Sequence, residues 1–199
     1  MWGAGLVIVV LVALIWPLGG LLLLPLLALP TAGVFRLAAR IVRVAPDVGW
    51  TDMLWPYRHA AASSLAVGIA VVAATLVLGT NLILGIGQGE PAGWVLATLA
   101  GWGLVALWSA TFVAWPIVVD PARETQPVVA KLRIAGALLL TAPARIAALA
   151  VAIAVTTVIS TILTAALLTV SVAFVALLAC RVVLPAADRL EPLLDGDRP

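Results

Sequence analysis

Charge is what this sequence has least of. Only 10% of its 199 residues are Asp, Glu, Lys or Arg, and residues 1–34 contain none. Soluble domains carry about 25% charged residues. The 64% hydrophobic content and mean hydropathy of +1.23 exclude a soluble fold, because a domain this small leaves roughly a third of its chain surface exposed. The bilayer must serve as solvent for most of the chain. Cysteine is nearly absent: Cys180 alone excludes an intramolecular disulfide and a cysteine-based metal site, and inside an apolar run it reads as a small buried hydrophobe. A single histidine, His59, leaves no His pair for a metal, and no cofactor is expected. No Lys/Arg run is interleaved with aromatics as a single-strand groove requires, so the net charge of +2 and pI near 9.3 do not point to nucleic acid. No basic residue precedes the first apolar run, which continues past Pro30, so it reads as a retained span instead of a cleaved leader.

What is present is a series of apolar runs separated by short polar stretches. A span through ~30 Å of hydrocarbon needs ~20 apolar residues. Residues 4–24 supply the first, kinked by Pro17, Gly19 and Gly20 and ended by Pro25 and Pro30. Over 31–44 the period changes. Val34, Leu37, Ala38, Ile41 and Val42 share one helical face while Arg36, Arg40 and Arg43 line another. This predicts a short amphipathic helix on the membrane surface with its guanidiniums at anionic headgroups, or docked on a partner. After the aromatic belt of Trp50, Trp55 and Tyr57, residues 61–84 form the second span. Ala62, Ala66, Ala70 and Ala74 recur along it every four residues, a small-residue ridge that lets helix backbones approach, within the monomer or in a homo-oligomer.

The turn at 85–93 resembles a phosphate loop only in glycine content. No strand precedes it, no Lys follows, and Glu90 would repel phosphate. The third span covers 94–118, with Ala97 and Gly101 as a small-residue pair. Residues 128–140, bearing Lys131 and Arg133, predict a second surface helix before Pro143 and Arg145. The stretch 146–183 has one charge, Arg181. As a single helix it would be roughly 57 Å long, so it must hold two spans, 146–162 and 165–183, turning near Ser160, Thr161 and Thr164. Ala144, Ala148 and Ala152 repeat the ridge. The expectation is an all-α, polytopic helical membrane protein: one domain over 1–185 with five transmembrane helices and two amphipathic cytoplasmic surface helices. A polar, frayed cytoplasmic tail follows at 186–199.

All eleven Lys/Arg residues fall in three regions that five spans place on one side. The positive-inside rule makes that side cytoplasmic and leaves the N-terminus outside, in a multi-pass protein of the cell membrane. The spans carry no ionisable group near midplane, where ion pathways need one. The only set available for acid–base chemistry is Asp47, Asp52, Arg58 and His59, at spacings with no recognised geometry, so an enzyme is not expected. The residues expected to contact lipid or a partner are Arg36, Arg40, Arg43, Arg58, Lys131, Arg133 and Arg145. A neutral solute held by Asn81, Trp102, Trp108, Ser109 and Thr111 would instead make the chain a small transporter or substrate-binding membrane subunit.

Several short motifs resemble the YesL-like family of bacterial integral membrane proteins, whose biochemical function is unknown. They are Leu29-Pro30-Thr31-Ala32-Gly33-Val34-Phe35, the basic helix ending at Arg43, Trp50, Trp55 and Tyr57-Arg58 ahead of a span, and the 118–145 segment with its Pro143-Ala144-Arg145. Genes of that family often lie near carbohydrate uptake systems of the ATP-binding-cassette type. The resemblance therefore implies a non-enzymatic accessory or scaffold protein whose partners are the bilayer and the permease or ATPase subunits of such a transporter. It brings no catalytic or binding residue with it.

Overall fold

The computed structural model describes residues 23–45, 47–163 and 165–195 together with Val12, excepting the side chains of 157–163, 165–170 and 195. The expected first span, 4–24, thus lies almost wholly outside the described residues. Among those described, the chain is all-helical. Seven α-helices follow one another, α1 (Ala28–Val42), α2 (Trp50–His59), α3 (Ala61–Gln88), α4 (Pro91–Val118), α5 (Val128–Thr141), α6 (Pro143–Leu163) and α7 (Ala165–Asp195), with 3-10 turns at Leu24–Leu27 and Pro121–Arg123. Four segments are long and apolar enough to cross a membrane: Leu24–Val42, Ala61–Gln88, Pro91–Val118 and Ser171–Leu194. A fifth arises if α5 and α6, which meet at a 97° bend, together form one broken span. The chain therefore has the character of a helical membrane protein.

Local chemistry sets the helix ends. Gly89 ends α3 in the left-handed conformation at φ 67°, which glycine adopts without a Cβ penalty, and Pro91 opens α4 at its first position, where a missing N–H costs nothing. The hairpin between the two long helices is consequently very short. At α2, the Asp52 carboxylate accepts from the N-cap amide of Gly49 at 3.1 Å, one half of a capping box. The end of α1 is less comfortable. Ala45 N–H closes back on Arg40 O at 3.1 Å, and Val44, 87% exposed, is forced to φ 52°, a region β-branched residues avoid.

Helices α1, α4 and α7 run in the same direction. Phe35 stacks on Trp115 with centroids 6.5 Å apart, and its carbonyl accepts from Cys180 Sγ at 3.6 Å. Two turns further along, Arg43 meets both Asp120 and Asp188. α3 runs the other way, with Gly68 against Ala28 and Pro25 and Gly85 against Gly93 and Ala97. The core lies where the parallel helices meet: Ala32, Phe35, Val113, Ile117, Ala179 and Val183 are almost fully buried.

Three expectations require correction. The 31–44 segment is not a surface helix with its arginines at headgroups. It belongs to the apolar helix Leu24–Val42 and is packed on several sides, because carboxylates from elsewhere in the chain meet its arginine face. The alanine ridges do not pack within the described chain either. Ala62, Ala66 and Ala70 are exposed and Ala74 half-buried, while Ala144 and Ala148 are exposed and Ala152 half-buried. A four-residue period marks a face but not its direction. The close approach of α3 uses Ser64, Gly68 and Gly85, since a Cβ at Gly85 would stand 2.6 Å from Gly93 O and 2.8 Å from Ala97 N. Ala97 is buried at this crossing, and Gly101 follows one turn on beside Leu82. Finally, the 186–199 segment is not frayed through its length: α7 continues to Asp195, because Asp188 and Glu191 find cationic partners.

Candidate functional site: a buried charge network at one end of the bundle

The C-terminal ends of α1, α4 and α7 converge on one small volume. Each helix end leaves its last carbonyls without intrahelical donors and carries a partial negative charge. Cations are the residues that suit such a place, and this chain supplies them from α1, α5 and the 3-10 turn. Arg36, 4% exposed, donates Nη1 to Val119 O at 3.0 Å, while Lys131, 6% exposed, donates Nζ to Val118 O at 3.0 Å. Both carbonyls belong to the end of α4. Arg36 also pairs with Glu124 and lies with its Cζ 4.1 Å from the Trp55 ring centroid, a cation–π geometry.

Asp120 is the centre of the network. Fully buried, it receives Arg43 in a bidentate fork, Nε to Oδ1 and Nη2 to Oδ2, both at 2.6 Å. It also pairs with Arg123 and caps the 3-10 turn through Ala122 N–H at 3.1 Å. Arg123, equally buried, continues to Asp188 Oδ1 at 2.6 Å and Glu191 Oε2 at 2.7 Å on α7, and Arg43 Nη2 reaches the same Asp188 oxygen at 3.0 Å. Gln126 donates to Glu191. Hydrogen bonding to Asp120 and Asp188 holds the Arg43 guanidinium above its ordinary pKa despite burial. For Arg123 burial pulls the other way, and Asp188, Asp120 and Glu191 outweigh it, again raising the pKa.

The charges balance. Arg36, Arg43, Arg123 and Lys131 face Asp120, Glu124, Asp188 and Glu191, and a separate pair joins Arg40 to Asp52. Desolvating charges is costly, so such a network is weak in net stabilisation when intact. Removing one member is another matter, because it strands its partner, at about 3–5 kcal/mol.

Of the residues expected at a lipid or partner surface, Arg36, Arg40, Arg43 and Lys131 are therefore engaged inside the chain; Arg58, Arg133 and Arg145 are exposed. The polar loop set does not converge on one reaction centre. Asp52 is committed to Arg40 and Gly49 N, while exposed His59 stacks on Trp55 at 5.3 Å and meets Trp55 O at 3.3 Å. The aromatics proposed for a neutral solute, Trp102 and Trp108, are 69% and 44% exposed, and Thr111 donates its hydroxyl to Leu107 O at 2.7 Å. Sequence reasoning missed Asp120, Arg123, Asp188 and Glu191. The three-residue spacing within Asp120–Arg123 and Asp188–Glu191, each at the end of an apolar run, was the available signal. No family model matches the chain, and neither a curated protein nor a solved structure is similar enough to count as a match.

Proposed function

We propose that this chain is a non-enzymatic accessory or scaffold component of the cell membrane that associates with an uptake transporter, its charged end cytoplasmic. The observation that carries the reading is how the two polar and apolar resources are spent. The buried ionisable groups hold three helix ends to each other, whereas the described residues leave most of α3 and the first two thirds of α4 largely uncovered. Within the most apolar 18-residue stretch of each helix, only 6% of α3 and 17% of α4 is buried, against 44% for Leu24–Val42; the buried part of α4 is mainly its C-terminal end, from Thr111 to Val118. The outward Ala62, Ala66 and Ala70 offer a transmembrane helix of a permease a surface on which backbones can approach. The carbohydrate character of the transporter, and the bacterial setting, rest on the YesL-like resemblance alone. The cytoplasmic placement of the charged end rests on the positive-inside rule.

The test is purification of the full chain from its native membrane in mild detergent, with mass spectrometry of what accompanies it. A stoichiometric permease or ATPase subunit, lost on Ala66→Trp while the protein stays folded, is the expected result. A partner-free protein, or a complex indifferent to Ala66→Trp, would overturn the reading.

A further inference from the structure

Among the described side chains, five cations stand outside both the network and the Arg40–Asp52 pair. Arg58, Arg133, Arg145, Arg181 and Arg189 are all exposed, and only Asp47 and Glu90 remain as uncommitted carboxylates among the described side chains. Three of the five gather in one place. Arg145 at the start of α6 and Arg181 and Arg189 on α7 line an open groove of about 530 Å³ between the two helices. Arg145 and Arg189 also border an adjoining cavity of about 440 Å³. Neither space is lined by a carboxylate. Its walls are otherwise apolar, with Leu149, Leu178 and Val182 in the first.

The depth of these groups decides what fits. α6 and α7 are antiparallel, so Arg145 and Arg189 sit together at the end of the bundle that holds the network. Arg181 lies eight residues back along α7, about 12 Å deeper at 1.5 Å per residue, within the apolar stretch Ser171–Leu194. An arginine at such a depth is ordinarily paired or turned into the bundle. Here it is exposed and has no carboxylate partner among the described residues.

We infer that the α6–α7 groove is a binding site for an anionic phospholipid, with Arg145, Arg181 and Arg189 on its phosphates and its acyl chains along the apolar walls. Basic pockets between membrane helices at the headgroup level recognise such lipids. A lipid with two phosphodiesters suits the charge count: three guanidiniums against one phosphate leave two cations uncompensated, and against two phosphates only one. The two adjoining cavities provide room on both sides of Arg145 and Arg189. The site is independent of any transporter partner.

The test uses the full chain in mild detergent, with bound lipid counted by native mass spectrometry after addition of diphosphatidylglycerol, phosphatidylglycerol or phosphatidylcholine. Diphosphatidylglycerol should be retained in preference to the other two, at one per chain. Arg181→Gln and Arg189→Gln should each weaken retention about fivefold, the scale of one basic residue at an anionic surface, while Arg58→Gln should not. Because the groove arginines have no carboxylate partner among the described residues, the lipid-free melting temperature of these variants should match the parent, and only the rise caused by lipid should shrink. Equal retention of the three lipids, an equal loss in Arg58→Gln, or displacement of the lipid by millimolar inorganic phosphate would each overturn the assignment.

Discussion

The two ends of this molecule are built on opposite principles. At one end, α1, α4 and α7 are tied by long, charged side chains reaching across 65 to 145 residues of sequence, with Asp120 at 0% exposure between two guanidiniums. At the other, α3 and α4 meet through the absence of side chains, Gly85 against Gly93 and Ala97. The first kind of contact is costly to assemble and more costly to break singly. The second depends on shape alone. Loss of a charge should therefore hurt the first end most, and added bulk the second.

The sharpest separation comes from Asp120→Asn. With the carboxylate neutralised, Arg43 and Arg123 lose their shared buried acceptor charge, and a loss of about 3–5 kcal/mol is expected, read as a fall in unfolding midpoint in detergent. Retention of parental stability would show that water or lipid, not Asp120, satisfies those cations. Gly85→Leu attacks the other end. Its Cβ must displace the Gly93 carbonyl and the Ala97 amide, and overpacking of this kind costs about 1–3 kcal/mol. Its effect on the network end should be slight, so that the two substitutions combined are additive. A smaller effect is expected where the ridge points outward. Ala66→Leu should change stability by less than about 0.5 kcal/mol, since Ala66 is exposed; a larger loss would place the ridge inside a packed interface. One further substitution has the opposite sign. Val44→Gly relieves a β-branched residue at φ 52° and should stabilise the chain by about 1 kcal/mol.

The sequence made the helical, membrane-bound character plain, because apolar runs of spanning length leave no other solvent for their surface. It also placed the α3–α4 hairpin, whose Gly-rich turn and Pro91 punctuate the chain locally; the turn expected near Ser160, Thr161 and Thr164 rests on Thr164, which lies outside the described residues. What it could not supply was direction. The spacing of Arg36, Arg40 and Arg43 defines a cationic stripe, and a stripe looks the same whether it faces phosphate or aspartate. Only the tertiary meeting with Asp120 and Asp188, 77 and 145 residues away, turns it inward. The alanine rows share this ambiguity: their period marks a face, and the structure turns Ala62, Ala66 and Ala70 outward. The groove arginines were only partly legible: Arg145 stood out at a span boundary, while Arg181 looked like the end of one.

The charge network is an internal clamp and not a surface for others. A double-mutant cycle between Arg43→Gln and Asp120→Asn, by equilibrium unfolding of the purified full chain, measures this most directly. A clamp predicts that the two single losses fail to add, with a coupling energy of about 1–3 kcal/mol. Strict additivity would mean that the two groups do not share a buried contact, and would return Arg43 to the membrane surface.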